Sequence, residues 1–131
     1  MTKGKITGLA HIGIFVRDMD KSIDFYKRLG FTPDAEEKPS IRLAFMSAGT
    51  CLIELVEKND IPKRDAGVVD HIAMEVDDIH AAIANAIAQG INIDPAGISE
   101  MPLLGGIKNV FFEGPDGERL EFFEYCSTSS N

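Results

Sequence analysis

The chain reads as an α+β fold in which one β-α-β-β-β unit is used twice, and three features of the sequence predict it. Leu9-Ala10-His11-Ile12-Gly13-Ile14-Phe15-Val16 and Val69-Asp70-His71-Ile72-Ala73-Met74-Glu75-Val76 share one period-two pattern, with a histidine at the same place in each. Gly30 and Gly90, each closing an amphipathic stretch, lie sixty residues apart, as His11 and His71 do. Each half then ends on a hairpin whose second strand carries a carboxylate among apolar neighbours, Glu54 in the first and Glu121 in the second.

In the first half, aliphatic Ile12, Ile14 and Val16 at alternate places predict a strand over residues 8–16. Asp18 or Asp20 caps the helix that follows, which runs through Leu29 with Ile23, Tyr26 and the Phe25/Leu29 pair at helical spacing. Gly30 stops it. Phe31-Thr32-Pro33 opens an extended segment, and residues 34–40 form a charged loop or an irregular edge strand. Two strands, 41–47 and 51–57, are joined by a turn at Ala48-Gly49-Thr50.

Residues 58–68 are polar, hold a proline and a glycine, and read as a linker. The order of elements then begins again. A strand over 69–76 leads to a helix capped by Asp77 or Asp78 and running through Gln89, with Ile79, Ile83 and Ile87 set on one face and Gly90 as the stop. Ile91-Asn92-Ile93 resumes an extended path, residues 95–106 form a longer loop, and strands 107–113 and 118–125 flank the turn Gly114-Pro115-Asp116-Gly117. Residues 126–131 are a polar tail.

Length and charge bound the function. The 131 residues make one domain, 1–131, with modules 8–57 and 69–125. With 13 basic and 21 acidic residues the net charge is -8, the wrong sign for nucleic acid or an anionic membrane as partner. No run is apolar for the length of a membrane span and no secretory signal is visible, so the expected location is the cytoplasm. Cys51 and Cys126 lack zinc-type spacing and are expected to stay reduced.

Strand parity turns this pattern into chemistry. His11 and His71 point away from the aliphatic row, each followed two places on by a small residue, Gly13 or Ala73, so each imidazole has room in front of it. Glu54 shares a face with Leu52 and Val56, and Glu121 with Phe123 and Tyr125. A carboxylate on a strand that is apolar on both faces costs several kcal/mol unless something neutralises it. A cation would. Two imidazoles and two carboxylates suit a divalent metal such as Ni, Co, Zn, Mn or Fe, with coordination positions left for substrate oxygens. His80, in the first turn of the second helix, is expected to be exposed and without function; Glu57 and Glu124 read as solvated surface.

His11-Ile12-Gly13-Ile14-Phe15-Val16-Arg17-Asp18, Ser22-Ile23-Asp24-Phe25-Tyr26, Leu29-Gly30-Phe31, and Gly114-Pro115-Asp116-Gly117 leading to Leu120-Glu121-Phe122 resemble the glyoxalase/bleomycin-resistance/dioxygenase (vicinal oxygen chelate) superfamily. The resemblance implies two tandem β-α-β-β-β modules whose curled sheets form a metal-binding trough, completed in many members by a second subunit; a homodimer is the expected assembly. It carries the metal ligands onto His11, Glu54, His71 and Glu121. Within the family the chain is most similar to the short bacterial glyoxalase I type. That likeness implies a lyase or isomerase moving a proton through an enediolate on a hemithioacetal or similar small molecule, with Glu121 and Glu54 exchanging between ligand and base.

Glutathione-using members resemble one another in an arginine four places after the first histidine; here that position is Phe15, and the nearest arginine is Arg17. Several stretches, among them Ile41-Arg42-Leu43-Ala44-Phe45-Met46, resemble methylmalonyl-CoA epimerase, whose pattern would make Glu36 or Glu37 a base; the plainer reading of both is a charged loop. A third reading is a drug- or metabolite-binding protein without turnover. Met101-Pro102-Leu103-Leu104-Gly105-Gly106 is apolar for a loop and reads as a flap over the trough or as cover for the sheet edge.

Overall fold

The computed structural model of the chain describes residues 3–38, 40–61, 67 and 69–126. Most of the predicted linker, at 62–66 and 68, and the tail from 127 onward lie outside the described residues. The first half is β1 (Ile12–Val16), α1 (Met19–Leu29), β2 (Thr32–Glu37), β3 (Leu43–Ala48) and β4 (Cys51–Glu57); the second is β5 (Ile72–Glu75), α2 (Ile79–Ala88), β6 (Ser99–Met101), β7 (Ile107–Glu113) and β8 (Arg119–Tyr125). Each half makes its own four-stranded sheet, in the orders β1-β4-β3-β2 and β5-β8-β7-β6. In both, the strand before the helix lies parallel to the last strand and the remaining pairs are antiparallel. This is the predicted α+β fold.

β1 and β5 are shorter than the alternating pattern suggested, and register explains it. Ile12 faces Ile53 and Ile72 faces Leu120, so Leu9 and Val69, three places earlier, fall opposite Thr50 and Gly117, in the turns that precede β4 and β8. Leu9 and Val69 are accordingly 78% and 74% exposed.

Asp18 and Asp78 cap the two helices, each accepting a 3.1 Å hydrogen bond from the backbone N–H three residues on. Gly30 adopts φ 116° and Gly90 φ 82°, left-handed values that let the chain leave the helix without a Cβ clash. On α2, Ile79 and Ile83 are buried as expected, but Ile87 is 43% exposed and Ala86 takes its place. Seven residues nearly complete two turns, whereas eight overshoot them, so Ala86 and not Ile87 returns to the core-facing stripe.

The largest departure lies in 91–106. Ile91 and Ile93 are buried but form no strand, and the edge strand of the second sheet is β6, inside the stretch read as loop. All three of its residues are exposed, so no burial pattern marks it; pairing with β7 makes it a strand. Met101 faces Ile107 at that edge, while Leu104, at φ 52°, stays 64% exposed.

One hydrophobic cluster runs through both halves, from Val16, Tyr26, Met46 and Leu55 to Met74, Ile79, Leu120 and Phe122. Polar contacts close the seam. Arg17 donates to Asp116 Oδ1 at 3.0 Å and to the carbonyl of Ile61 at 2.9 Å, Tyr26 to Glu118, and Arg28 to the carbonyl of Gln89 at 3.0 Å. Among the described residues no helix is long and apolar enough to cross a membrane.

Candidate metal centre

The parallel pairing of first and last strand brings each predicted histidine to its predicted glutamate. His11 Nε2 lies 3.3 Å from Glu54 Oε1, and His71 Nε2 lies 3.1 Å from Glu121 Oε1. Register places the small residues: Gly13 faces Glu54 and Ala73 faces Glu121, leaving space over each carboxylate for the imidazole. A Cβ added at Gly13 would sit 3.6 Å from Glu54 Oε1, ordinary van der Waals contact.

On its other side each glutamate faces a phenylalanine, Phe45 opposite Glu54 and Phe111 opposite Glu121. Those rings stand edge-on to the histidines, with centroids 6.0 Å apart for Phe45–His11 and 5.3 Å for Phe111–His71. Each half therefore presents the same four positions: histidine, small residue, glutamate, phenylalanine. The two phenylalanines were visible in the sequence only as strand apolar residues.

The halves are not equally furnished. Glu121 is 4% exposed, and its Oε2 accepts a 2.8 Å hydrogen bond from the amide of buried Asn109. The Asn109 Oδ1 atom, also buried, has no hydrogen-bond partner among the described residues. His71 Nδ1 lies 2.8 Å from Asp70 Oδ2, and Asp70 is held in turn by Arg119 at 3.2 Å. The hydrogen bond with His71 is the main cause holding the Asp70 carboxyl below the usual range, with Arg119 adding to it. Arg119 also stacks over Phe111 at 4.4 Å. Around Glu54 and His11 the described residues supply no comparable hydrogen bonds.

The donor set fits a divalent cation. With Nδ1 engaged by Asp70, a neutral His71 presents the lone pair of Nε2 to a carboxylate oxygen at 3.1 Å. Two acceptors at that distance need a proton or a metal between them. His11, Glu54, His71 and Glu121 together are the N/O set of first-row divalent metals. Among the described residues of one chain, however, no three histidine, cysteine, aspartate or glutamate side chains gather closely enough to hold an ion. The structure forms two two-residue half-sites and does not bring the four ligands together in a single chain.

A cavity of about 350 Å³ opens beside His71, lined by Ile12, Ile14, Phe15, Val69 and Arg119 among others. Phe15 is 45% exposed, and Lys58 lies over its ring. Arg17, the nearest arginine to the one Phe15 replaces, is bound to Asp116 and Ile61. Glu36 is ion-paired to Arg42, Glu37 is exposed on β2, and His80 is exposed.

Glu57 and Glu124 correct the sequence reading. Both are half-buried and cap helix N-termini: Glu57 Oε2 accepts from Met19 N at 3.4 Å and Glu124 Oε1 from Ile79 N at 2.8 Å. Each lies three residues after the candidate ligand on its strand, so one strand face holds the site and the other holds the helix. Cys51 and Cys126 are free thiols, and burial raises the Cys51 pKa.

The family model described as Glyoxalase/Bleomycin resistance protein/Dioxygenase superfamily matches residues 8–122. A lactoylglutathione lyase of Haemophilus influenzae is 35% identical over 133 residues, covering 93% of this chain and 96% of that protein. A mitochondrial methylmalonyl-CoA epimerase of Dictyostelium discoideum is 30% identical over 101 residues, 66% of this chain and 60% of that one. A solved glyoxalase family protein from Enterococcus faecalis superposes with a TM-score of 0.77 at 26% identity, over 90% of this chain and 98% of its own. With a family match across nearly the whole length, and two copies of the same unit in the fold, the chain belongs to the glyoxalase/bleomycin resistance protein/dioxygenase superfamily.

Proposed function

We propose that this protein is a metal-dependent lyase or isomerase of the glyoxalase I type, acting on a hemithioacetal or a similar small molecule with two adjacent oxygens. The observation that carries the reading is the pair of matching His–Glu contacts, His11–Glu54 at 3.3 Å and His71–Glu121 at 3.1 Å. The lactoylglutathione lyase of H. influenzae, similar over nearly its full length, supports it.

His11, Glu54, His71 and Glu121 would hold the ion, the two pairs coming from two subunits of a homodimer, because within one chain they form separate half-sites. A divalent ion, when bound, would polarise the substrate oxygens and stabilise the negative charge that gathers on them as the proton leaves. The rest is work for the chain's own side chains. Glu54 or Glu121 would take the proton from one carbon and return it to the neighbour, each standing beside its histidine and opposite a phenylalanine. The cavity beside His71, walled by Ile12, Ile14 and Phe15, would receive an apolar part of the substrate next to that half-site.

The epimerase relative supports a second reading, proton exchange on an acyl-CoA. The Glu36–Arg42 ion pair speaks against it, since it engages one of the two glutamates that such a pattern would use as base. The test is direct. Protein loaded with Ni²⁺ or Co²⁺ is assayed on the methylglyoxal–glutathione hemithioacetal and, in parallel, for proton exchange on 2-methylmalonyl-CoA. Turnover of the hemithioacetal supports the first reading, exchange alone supports the second, and a loaded protein inert to both is the expectation for a binding protein.

A further inference from the structure

We propose that the two half-sites are unequal by construction: Asn109 and Asp70 are positioning residues that make the His71–Glu121 half the pre-organised anchor for the cation, and the His11–Glu54 half closes on it second. The inference rests on the metal reading above and goes beyond it, because it assigns roles to residues outside the ligand set.

Pseudo-symmetry supplies the control. Asn109 faces Phe123, two places beyond Glu121; the equivalent residue of the first half, facing Val56 two places beyond Glu54, is Leu43. The fold accepts an apolar side chain there. In the second half it carries instead an amide that is 5% exposed and whose Oδ1 has no partner among the described residues, an arrangement less favourable for folding than leucine would be. What the amide does is donate to Glu121 Oε2 at 2.8 Å, fixing the carboxylate with Oε1 toward His71. Asp70 fixes the imidazole from the other side at 2.8 Å, and Arg119 fixes Asp70.

In the row Arg119–Asp70–His71–Glu121–Asn109 three side chains thus support two ligands, while among the described residues His11 and Glu54 have no polar side-chain partner except each other. The side chain of Glu54 is 21% exposed against 5% for Glu121. Hydrogen bonds to the far side of a ligand set its orientation before the ion arrives, so the ion meets one half already in place.

Cobalt(II) titration, read by visible absorption with circular dichroism as a check on folding, tests this on wild type, Asn109→Leu, Asp70→Ala, His11→Ala and His71→Ala. Asn109→Leu and Asp70→Ala are expected to weaken cobalt binding about 10–100-fold and to change the absorption bands, and His71→Ala to lose more affinity than His11→Ala. Wild-type affinity and bands in folded Asn109→Leu or Asp70→Ala overturn the proposal, as does an equal loss from the two histidine variants. Should Asn109→Leu not fold, Asp70→Ala decides, its carboxyl being at the surface. Wild type that binds no cobalt overturns the metal reading itself, a separate result.

Discussion

The phenol of Tyr26, fully buried on α1, donates a 2.7 Å hydrogen bond to Glu118 Oε2 at the turn between β7 and β8. It fastens the first half to the second. Burial is the main cause raising the Glu118 pKa above the ordinary glutamate range, against hydrogen bonds from Tyr26 and the backbone of Asp116 that lower it; burial likewise pushes the Tyr26 phenol well up, with the Glu118 charge adding to the rise.

A raised carboxyl pKa means that the folded protein binds this proton more tightly than the unfolded chain does. Glu118 therefore contributes stability that is fully present below the unfolded pKa and is lost as pH rises through the folded one. Urea unfolding across that window is expected to show a downward slope in wild type, and a shallower one in Glu118→Gln, which keeps an acceptor for Tyr26. Identical slopes would show that Glu118 does not titrate as its burial implies.

Gly114 is needed for the same contact. A Cβ built there would overlap the side-chain carbons and carboxylate of Glu118. Gly114→Ala is expected to push Glu118 off Tyr26 and cost about 1–3 kcal/mol, read as a lower urea midpoint. The double variant Gly114→Ala/Glu118→Ala should recover part of that loss, since the clash goes with the side chain.

Gly13 makes the opposite case. The added Cβ would only touch Glu54, and Ala73 already carries a methyl group at the matching position. Gly13→Ala is expected to keep metal affinity within about threefold of wild type, whereas Gly13→Val, with branches reaching toward the carboxylate, should weaken it tenfold or more. Equal binding by both variants would mean that the space before Glu54 is not used.

These contacts also mark what could be read from the chain beforehand. The strand faces of His11, Glu54, His71 and Glu121 were legible because the face on which a strand side chain lies is a local property, fixed by parity. Which glutamate meets which histidine was not legible: the parallel first-to-last strand pairing decides it, and sets the same register in both halves. Glu57 and Glu124 were misread for the complementary reason: parity put them off the site, but only the packed helix shows that their face holds the α1 and α2 N-termini. Asn109 meets Glu121 across a hairpin and Arg119 meets Asp70 from a remote part of the chain, which no local pattern signals; Asp70 stands next to His71 in sequence, but adjacency alone gives it no role. β6 is a strand solely because β7 lies beside it.

If each cation takes His11 and Glu54 from one subunit and His71 and Glu121 from its partner, damaged chains can complement each other. His11→Ala and His71→Ala proteins, each inactive alone, are expected on unfolding and refolding together to regain about a quarter of wild-type hemithioacetal turnover, since half of randomly formed dimers are mixed and each mixed dimer holds one intact site of two. A mixture no more active than its components would show that the half-sites of two subunits do not meet on one ion.

The most direct measurement is the metal stoichiometry and affinity of wild type beside His11→Ala and His71→Ala, by calorimetric titration with Co²⁺ or Ni²⁺ under identical conditions. The expected result is one ion per chain in wild type and strongly weakened binding in both variants, because a ligand from each half serves the same ion. Wild-type affinity in either variant would contradict the account, by showing that the two halves do not meet on a common cation.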